Sequence, residues 1–344
     1  MNTTMSPATA ATVWIGLDVS KDTLDVCLLR ENAKTHFKQF SNEENGHTKL
    51  LRWAQHLAPS QVCHFCLEAT GSYSQEVALF LAQAEQAVSV INPARIHCFG
   101  RSQAQGNKTD KADARTIALF CRKEQPELWR VTTPEVRLLV ALVRRLHAVQ
   151  ELLAQEKNRL QVPAQPVAVV ASVQMIATAL EAEVKRLQQQ IREHLDQHGN
   201  LKRDAQLLQS IPGVGEITAW DILAELPDVS QFDSAQGVAA YAGLSPREHR
   251  SGSSVQRKTR LNKMGSSRLR KAMYFPAVVA VQWNPPVKAH FERLPAAGKF
   301  KMVALAAAMR KVLMICYGVL KHQKPFQADW QAQPKTPSNC PLTT

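Results

Sequence analysis

No run of about 18 uncharged apolar residues occurs in the 344-residue chain, and residues 1–11 lack the charged start and apolar stretch of a secretory signal. A soluble intracellular protein with no membrane partner is expected. Cysteine is scarce: seven residues, an odd number, lie mostly in apolar runs. That pattern excludes a disulfide framework and predicts reduced core thiols. Cys63 and Cys66 have the C-x-x-C spacing of a zinc half-site, but no second pair follows. On a strand, side chains three apart point to opposite faces, so both are read as core. No repeat of the whole fold is visible. Acids are nearly missing from residues 244–311, where fifteen Lys and Arg face only Glu248 and Glu292. This local surplus equals the +13 of the entire chain, so the remainder balances to zero. A charge so focused is an electrostatic footprint for a polyanion, with nucleic acid the leading partner. The segment lacks a basic amphipathic helix with Trp and Phe on one face, which argues against a membrane surface.

The length and a hydrophobic content of 45% suit two compact domains and a connecting element. Residues 13–30 read as two strands around a polar turn at 20–23, with a third strand at 35–40. A helix at 46–57, a buried strand at 62–69, a helix at 74–85, a strand at 87–91 and a polar loop at 100–109 follow. Thr109 is placed to cap a helix from Asp110 to about Arg122. Strands alternating with helices after an opening hairpin predict an α/β domain with a mixed sheet over 13–133. From Pro134, Leu139, Leu142, Leu146, Val149, Leu153 and Leu160 keep heptad spacing, interrupted by Glu156. Two prolines break the pattern before Leu180, Val184, Leu187 and Ile191 resume it. The expectation over 134–203 is a helical coiled-coil linker that pairs with itself or another subunit. Residues 204–326 read as a mostly helical basic domain, and 327–344 as a disordered tail. Trp283 to Pro286 and the apolar segment 302–320 are read as packing rather than as a platform for bases.

Asp18 sits between Leu17 and Val19 in an apolar strand, where an ionised group must face a site or a partner. Glu68 closes a second buried strand just before Ala69, Thr70 and Gly71, at the carboxyl edge where α/β sheets collect ligands. Asp110 and Asp113 are three apart at a helix start and share a face. Each has an ordinary reading: the helix dipole favours Asp110, and Glu68 suits a solvated turn. Four converging carboxylates would repel one another unless divalent cations sit between them, and hard oxygen ligands select Mg2+, with Mn2+ as the substitute. Two such ions are a standard device for phosphodiester chemistry. Asp22 and Asp25 are left outside the set, in the turn and at the opening of the next strand.

Pro212, Gly213, Val214 and Gly215 separate two helical stretches. The turn is helix-hairpin-helix-like, and Gly213 and Gly215 are candidates to offer backbone N–H groups to a phosphate. A plain connection is the competing reading. Farther on, Ser251, Ser253 and Ser254 are enclosed by Arg247, Arg250, Arg257, Lys258, Arg260 and Lys263, with Arg268, Arg270 and Lys271 beyond. All nine cations are candidate nucleic-acid contacts. By composition alone, the serines hydrogen-bond phosphates.

GLDVSKDTLDV, LEATGSY, VINPARI, NKTDKADA, IPGVGEITA, AGLSPREHRSG and the basic stretch ending near Tyr274 occur in this order. Together they resemble the transposases of the insertion-sequence-110 family, relatives of the Piv-type DNA invertases, across about residues 14–326. The resemblance implies a RuvC-like, RNase H-like domain at 13–133 with a DEDD tetrad on Asp18, Glu68, Asp110 and Asp113. It further implies a coiled-coil linker and a C-terminal domain whose catalytic serine falls on Ser251, with Ser253 and Ser254 as neighbours. The implied activity is RNA-guided DNA cleavage and strand exchange through a serine–DNA link, assisted by Mg2+. The implied partners are double-stranded donor and target DNA, an element-encoded structured bridge RNA, and further copies in a homodimer or homotetramer, in the bacterial cytoplasm at the nucleoid. A junction-resolving nuclease with water as nucleophile is the alternative, and a non-catalytic architectural protein is a third reading.

Overall fold

The computed structural model describes residues 12–59, 61–69, 71–102, 109–226, 228–251, 255–262 and 264–328. The chain divides into two compact units, residues 1–131 and 132–344. The first contains β1 (Thr12–Val19), β2 (Thr23–Leu29), β3 (Thr35–Ser41), α1 (Glu44–Leu57), β4 (Val62–Glu68), α2 (Ser72–Gln83), β5 (Ala87–Ile91), α3 (Pro93–Ser102) and α4 (Asp110–Glu124). Its strands form one mixed sheet in the order β3-β2-β1-β4-β5, with β1 antiparallel to β2 and parallel to β4. Ser20 closes the first hairpin, its Oγ accepting from the Thr23 N–H at 3.1 Å.

Strand alternation sorts the side chains into two layers. Val13, Ile15, Leu17, Val26 and Leu67 pack with Leu50 of α1 and Leu81 of α2 on one face. On the other, Trp14, Cys27, Leu29 and Cys66 meet Ala114, Ile117, Ala118 and Phe120 of α4. Cys63 joins the first layer and Cys66 the second, so the C-x-x-C pair is split between faces. The loop expected from Gly100 gives way to α3 as far as Ser102. Asn92 Oδ1 accepts from the Ala94 N–H at 2.9 Å and Pro93 opens the helix, where its missing N–H costs nothing.

The second unit begins with α5 (Pro134–Leu160) and α6 (Val167–Gln197), which pack along each other. Val136, Leu139, Val143, Leu146 and Val149 are buried on α5, with Leu187, Ile191 and Leu195 on α6. Val143 takes the buried place expected for Leu142, which is half-buried. Pro166 stands outside the first turn as the N-cap, so α6 starts immediately after it rather than farther along. Then come α7 (Gly199–Gln209), α8 (Glu216–Glu225), α9 (Ala235–Tyr241), β6 (Pro246–Ser251), β7 (Val255–Leu261), α10 (Ser267–Ala272), α11 (Tyr274–Trp283), α12 (Pro285–Ala296) and α13 (Lys301–His322). A single core joins the α5–α6 pair to α8, α11 and α13. The expectation of a mostly helical region is amended by the β6–β7 hairpin. Among the described residues two helices, α6 and α13, are long and apolar enough to span a bilayer by composition; half of the α13 window is buried, against 11% for α6. From residue 329 the predicted tail lies outside the described residues.

Candidate active site and nucleic-acid interface

Three local choices bring the predicted carboxylates to one place. Asp18, next to last in β1, and Glu68, last in β4, lie on adjacent parallel strands one step beyond the paired residues Leu17 and Leu67, at the carboxyl edge of the sheet. Even-numbered positions of both strands, Trp14, Gly16, Asp18, Cys66 and Glu68, face α4 rather than α1 and α2. Gly16 then lets α4 close onto the sheet. A Cβ there would lie 2.2 Å from the Ala114 carbonyl oxygen and 2.4 Å from the Ala118 nitrogen. Ala114 and Ala118 are themselves fully buried, so helix and strand meet almost backbone to backbone. This contact fixes the first turn of α4, and with it Asp110 and Asp113. Thr109 caps that turn as expected, its Oγ1 accepting from the Ala112 N–H at 3.2 Å.

The electrostatics register the convergence. The Asp18 carboxyl is pushed from 3.8 up to about 6, first by burial and then by the negative charges of Asp113, Asp110, Glu68 and Asp25. Asp25, excluded from the sequence-based set, is the direct cross-strand partner of Asp18, and Gln39 Nε2 donates to both its oxygens at 3.2 and 3.0 Å. The hairpin register, with Val19 paired to Leu24, sets this pairing. Among the described residues, no three His, Cys, Asp or Glu side chains form a ready-made metal cage. The carboxylates share a neighbourhood and an unfavourable mutual charge. That donor set suits a hard divalent cation.

In the second unit, Ser251 is the last residue of β6 and pairs with Val255 across the hairpin end. Arg247 and Arg250 lie on β6, and Arg257, Lys258 and Arg260 on β7, with Arg247 opposite Arg260. Ser253, Ser254 and Lys263 lie outside the described residues. Arg268 and Lys271 are exposed on α10, whereas Arg270 turns inward and its Nη1 donates to the Ala242 carbonyl at 3.0 Å. Part of its role is therefore to brace the turn before β6. Gly213 has φ +102°, and a Cβ there would sit 2.8 Å from the Pro276 carbonyl oxygen, so this glycine meets an internal demand of α11. Gly215 is the N-cap of α8.

Comparison with known proteins identifies the family. Residues 15–163 match a family described as "Transposase", of the IS110 DEDD type, and residues 205–292 match "Transposase IS116/IS110/IS902 family". The chain is 33% identical over 316 residues to the pilin gene-inverting protein of Moraxella bovis, covering 91% of this chain and 97% of that one. The chain belongs to the IS110 family of transposases. The same coverage and identity hold for the pilin gene-inverting protein of Moraxella lacunata. The transposase for insertion sequence element IS1111A of Coxiella burnetii is 23% identical over 265 residues, 69% of this chain and 70% of that one. Family membership makes this a DNA-recombination enzyme, and its DEDD-type domain points to dependence on a divalent metal. The two matched segments contain the acidic cluster and the basic hairpin respectively. Trp283, read from sequence as packing, is 71% exposed on α11 of this IS110-family chain. The reading as packing rests on most aromatics in this region lying singly.

Proposed function

We propose that this chain is an RNA-guided DNA recombinase in which Asp18, Glu68, Asp110 and Asp113 hold Mg2+ and Ser251 is the nucleophile. The observation that carries the reading is Asp18, held at the sheet's carboxyl edge, where burial and then the charges of Asp113, Asp110, Glu68 and Asp25 raise its carboxyl to about 6. When bound, Mg2+ or Mn2+ supplies positive charge to the reacting phosphate. The carboxylates fix that charge in place, and they must be ionised to do so. Ser251 Oγ forms an ester bond to phosphorus as the bond from phosphorus to a deoxyribose oxygen breaks, and the serine proton leaves to a base. Arg247, Arg250, Arg257, Lys258, Arg260, Lys263, Arg268 and Lys271 neutralise neighbouring phosphates. A structured RNA selects donor and target duplexes, and two or four copies act together.

Adduct trapping on a DNA substrate is the test. Ser251→Ala should abolish the covalent protein–DNA species while Ser253→Ala and Ser254→Ala retain it, and Asp18→Ala should abolish cleavage. An adduct that survives Ser251→Ala refutes the serine assignment. Cleavage without any adduct in the wild type would establish the water-dependent nuclease instead. RNA that co-purifies with the chain and restores site choice to stripped protein supports guidance.

A further inference from the structure

Between α5, α8, α10 and the start of α11, all in the second unit, lies a cavity of about 670 Å3, within the size range of small-ligand sites. It involves neither the acidic cluster nor the serine hairpin. Its polar floor is built. Asp221, only 9% exposed, accepts from His147 Nε2 at 2.5 Å. Glu225 accepts from Arg144 Nη2 and from Ser266 Oγ, both at 3.3 Å. An ionised carboxylate offers about four acceptor positions, so both acids keep capacity toward the cavity. Arg268 and Lys271 bring cationic side chains to the lining. Lys271 Nζ also reaches Glu151 at 3.1 Å, but both side chains are exposed and such a pair is held weakly. Phe275 completes the lining. It is 75% exposed, with its ring 5.3 Å from that of Tyr274 and inclined at 85°.

A cation for phosphate, an open aromatic face, and acceptors for N–H donors are the three groups that a nucleotide requires. We infer that this cavity takes one unpaired nucleotide, its base on Phe275, its phosphate at Arg268 and Lys271, and its N–H edge toward Asp221 and Glu225. The arrangement of charge, not its sum, favours a nucleic acid over an apolar protein segment: Arg268 and Lys271 belong to the stretch that carries the chain's whole +13, while Glu151, Asp221 and Glu225 line the same cavity as acceptors. Guanine is favoured, since its N1–H and N2 amino group present adjacent donors. A base within a duplex is stacked and paired on those same groups and cannot enter. The inference rests on the reading of the basic domain as a nucleic-acid binder and adds to it a place where one extruded or single-stranded base is read.

The test uses the full chain and fluorescence anisotropy with oligothymidine strands of about twelve nucleotides, within the span of single-strand binding sites, bearing one central guanine or adenine. The same sequences as RNA, a duplex, and guanosine monophosphate as competitor form the other arms. Phe275 is exposed, so Phe275→Ala should keep the fold and weaken single-strand binding about 5- to 150-fold, the span of one lost base–aromatic stack. Duplex binding should change less than about two-fold, as expected for phosphate contacts made elsewhere. Glu225→Gln, which replaces one acceptor by a donor, should erase the preference for guanine over adenine. Whichever of DNA, RNA or the free nucleotide is bound most tightly identifies the source of the base. Unchanged single-strand affinity in Phe275→Ala, or equal losses for strand and duplex, overturns the pocket. So does a fall in oligomer size on sedimentation with oligonucleotide affinity intact, which would make this a protein interface. A wild-type chain that binds neither strand nor duplex defeats the parent reading instead.

Discussion

Gly16→Ala is the most exacting perturbation of the acidic site, because it touches none of the carboxylates. The added methyl would lie 2.2 Å from the Ala114 carbonyl oxygen and 2.4 Å from the Ala118 nitrogen. Van der Waals contact requires roughly 3.5 Å, so α4 must withdraw by about 1 Å or the strand must bend. Overpacking of this kind costs about 1–3 kcal/mol, and here the colliding atoms are backbone. Shortening the α4 side chain, as in Gly16→Ala with Ala118→Gly, should therefore give no rescue. The movement separates Asp110 and Asp113 from Asp18 and Glu68, and a misplacement of about 1 Å in a catalytic constellation costs on the order of 100-fold in rate. Urea denaturation and Mg2+-dependent cleavage, measured on the same preparations, check both parts. Wild-type cleavage by a folded Gly16→Ala protein would refute the claim that this glycine sets the site.

Charge at the same place gives a second test. Because the Asp18 carboxyl moves from 3.8 to about 6 on folding, its penalty is absent below about 3.8, grows through about 6 and is complete above it. Asp18→Asn should stabilise the metal-free protein at pH 8 by about 1–2 kcal/mol, the full shift being halved for a half-exposed group. The gain should vanish near pH 4 and reverse in excess Mg2+, which stabilises only the wild type; equal urea midpoints in EDTA at pH 8 would contradict it. In the second unit, the hydrogen bond to Asp221 raises the His147 pKa above its usual 6.5 against the opposing effect of burial. Its stabilisation should be complete below that value and fade as pH rises through the raised one, so the difference between wild type and His147→Gln in urea should shrink from pH 5.5 to 8.5. Gly213→Ala combines a left-handed backbone with a 2.8 Å approach to the Pro276 carbonyl, and should lower the stability of the second unit by about 1–3 kcal/mol, measured by thermal unfolding.

Much of the first unit was legible because each element announces itself locally. Alternating apolar residues mark β1 and β2, and Thr109 with Asp110 and Asp113 marks the start of α4. The helix α3 was missed although Asn92-Pro93 is a local start signal, because the glycine and polar residues from Gly100 onward suggested a loop. The position of Asp25 opposite Asp18 is not legible in the sequence for a different reason: cross-strand pairing is a relation between segments, and its register follows from closing the turn at Ser20. In the second unit, the heptad spacing placed α5 and α6 but chose Leu142 over Val143, since a short seam fits two adjacent registers. The β6–β7 hairpin was hidden by its own composition, Arg and Lys being poor strand markers. Trp283, read as packing because the aromatics lie singly, is exposed instead; an uncharged helix carries no polarity to say which face is covered.

Residue chemistry along the chain was enough to name a polyanion partner and the family, and to nominate four acids and a serine cluster as candidates. Those signals depend on identity and order alone. Only the folded chain decided that Gly16 lets α4 close on the sheet, that Asp25 stands opposite Asp18, and that Asp221, Glu225, Arg268 and Phe275 line one cavity. Such facts depend on backbone separations of a few ångströms between residues far apart in sequence. They are set when the two faces of the sheet and the shared helical core are packed.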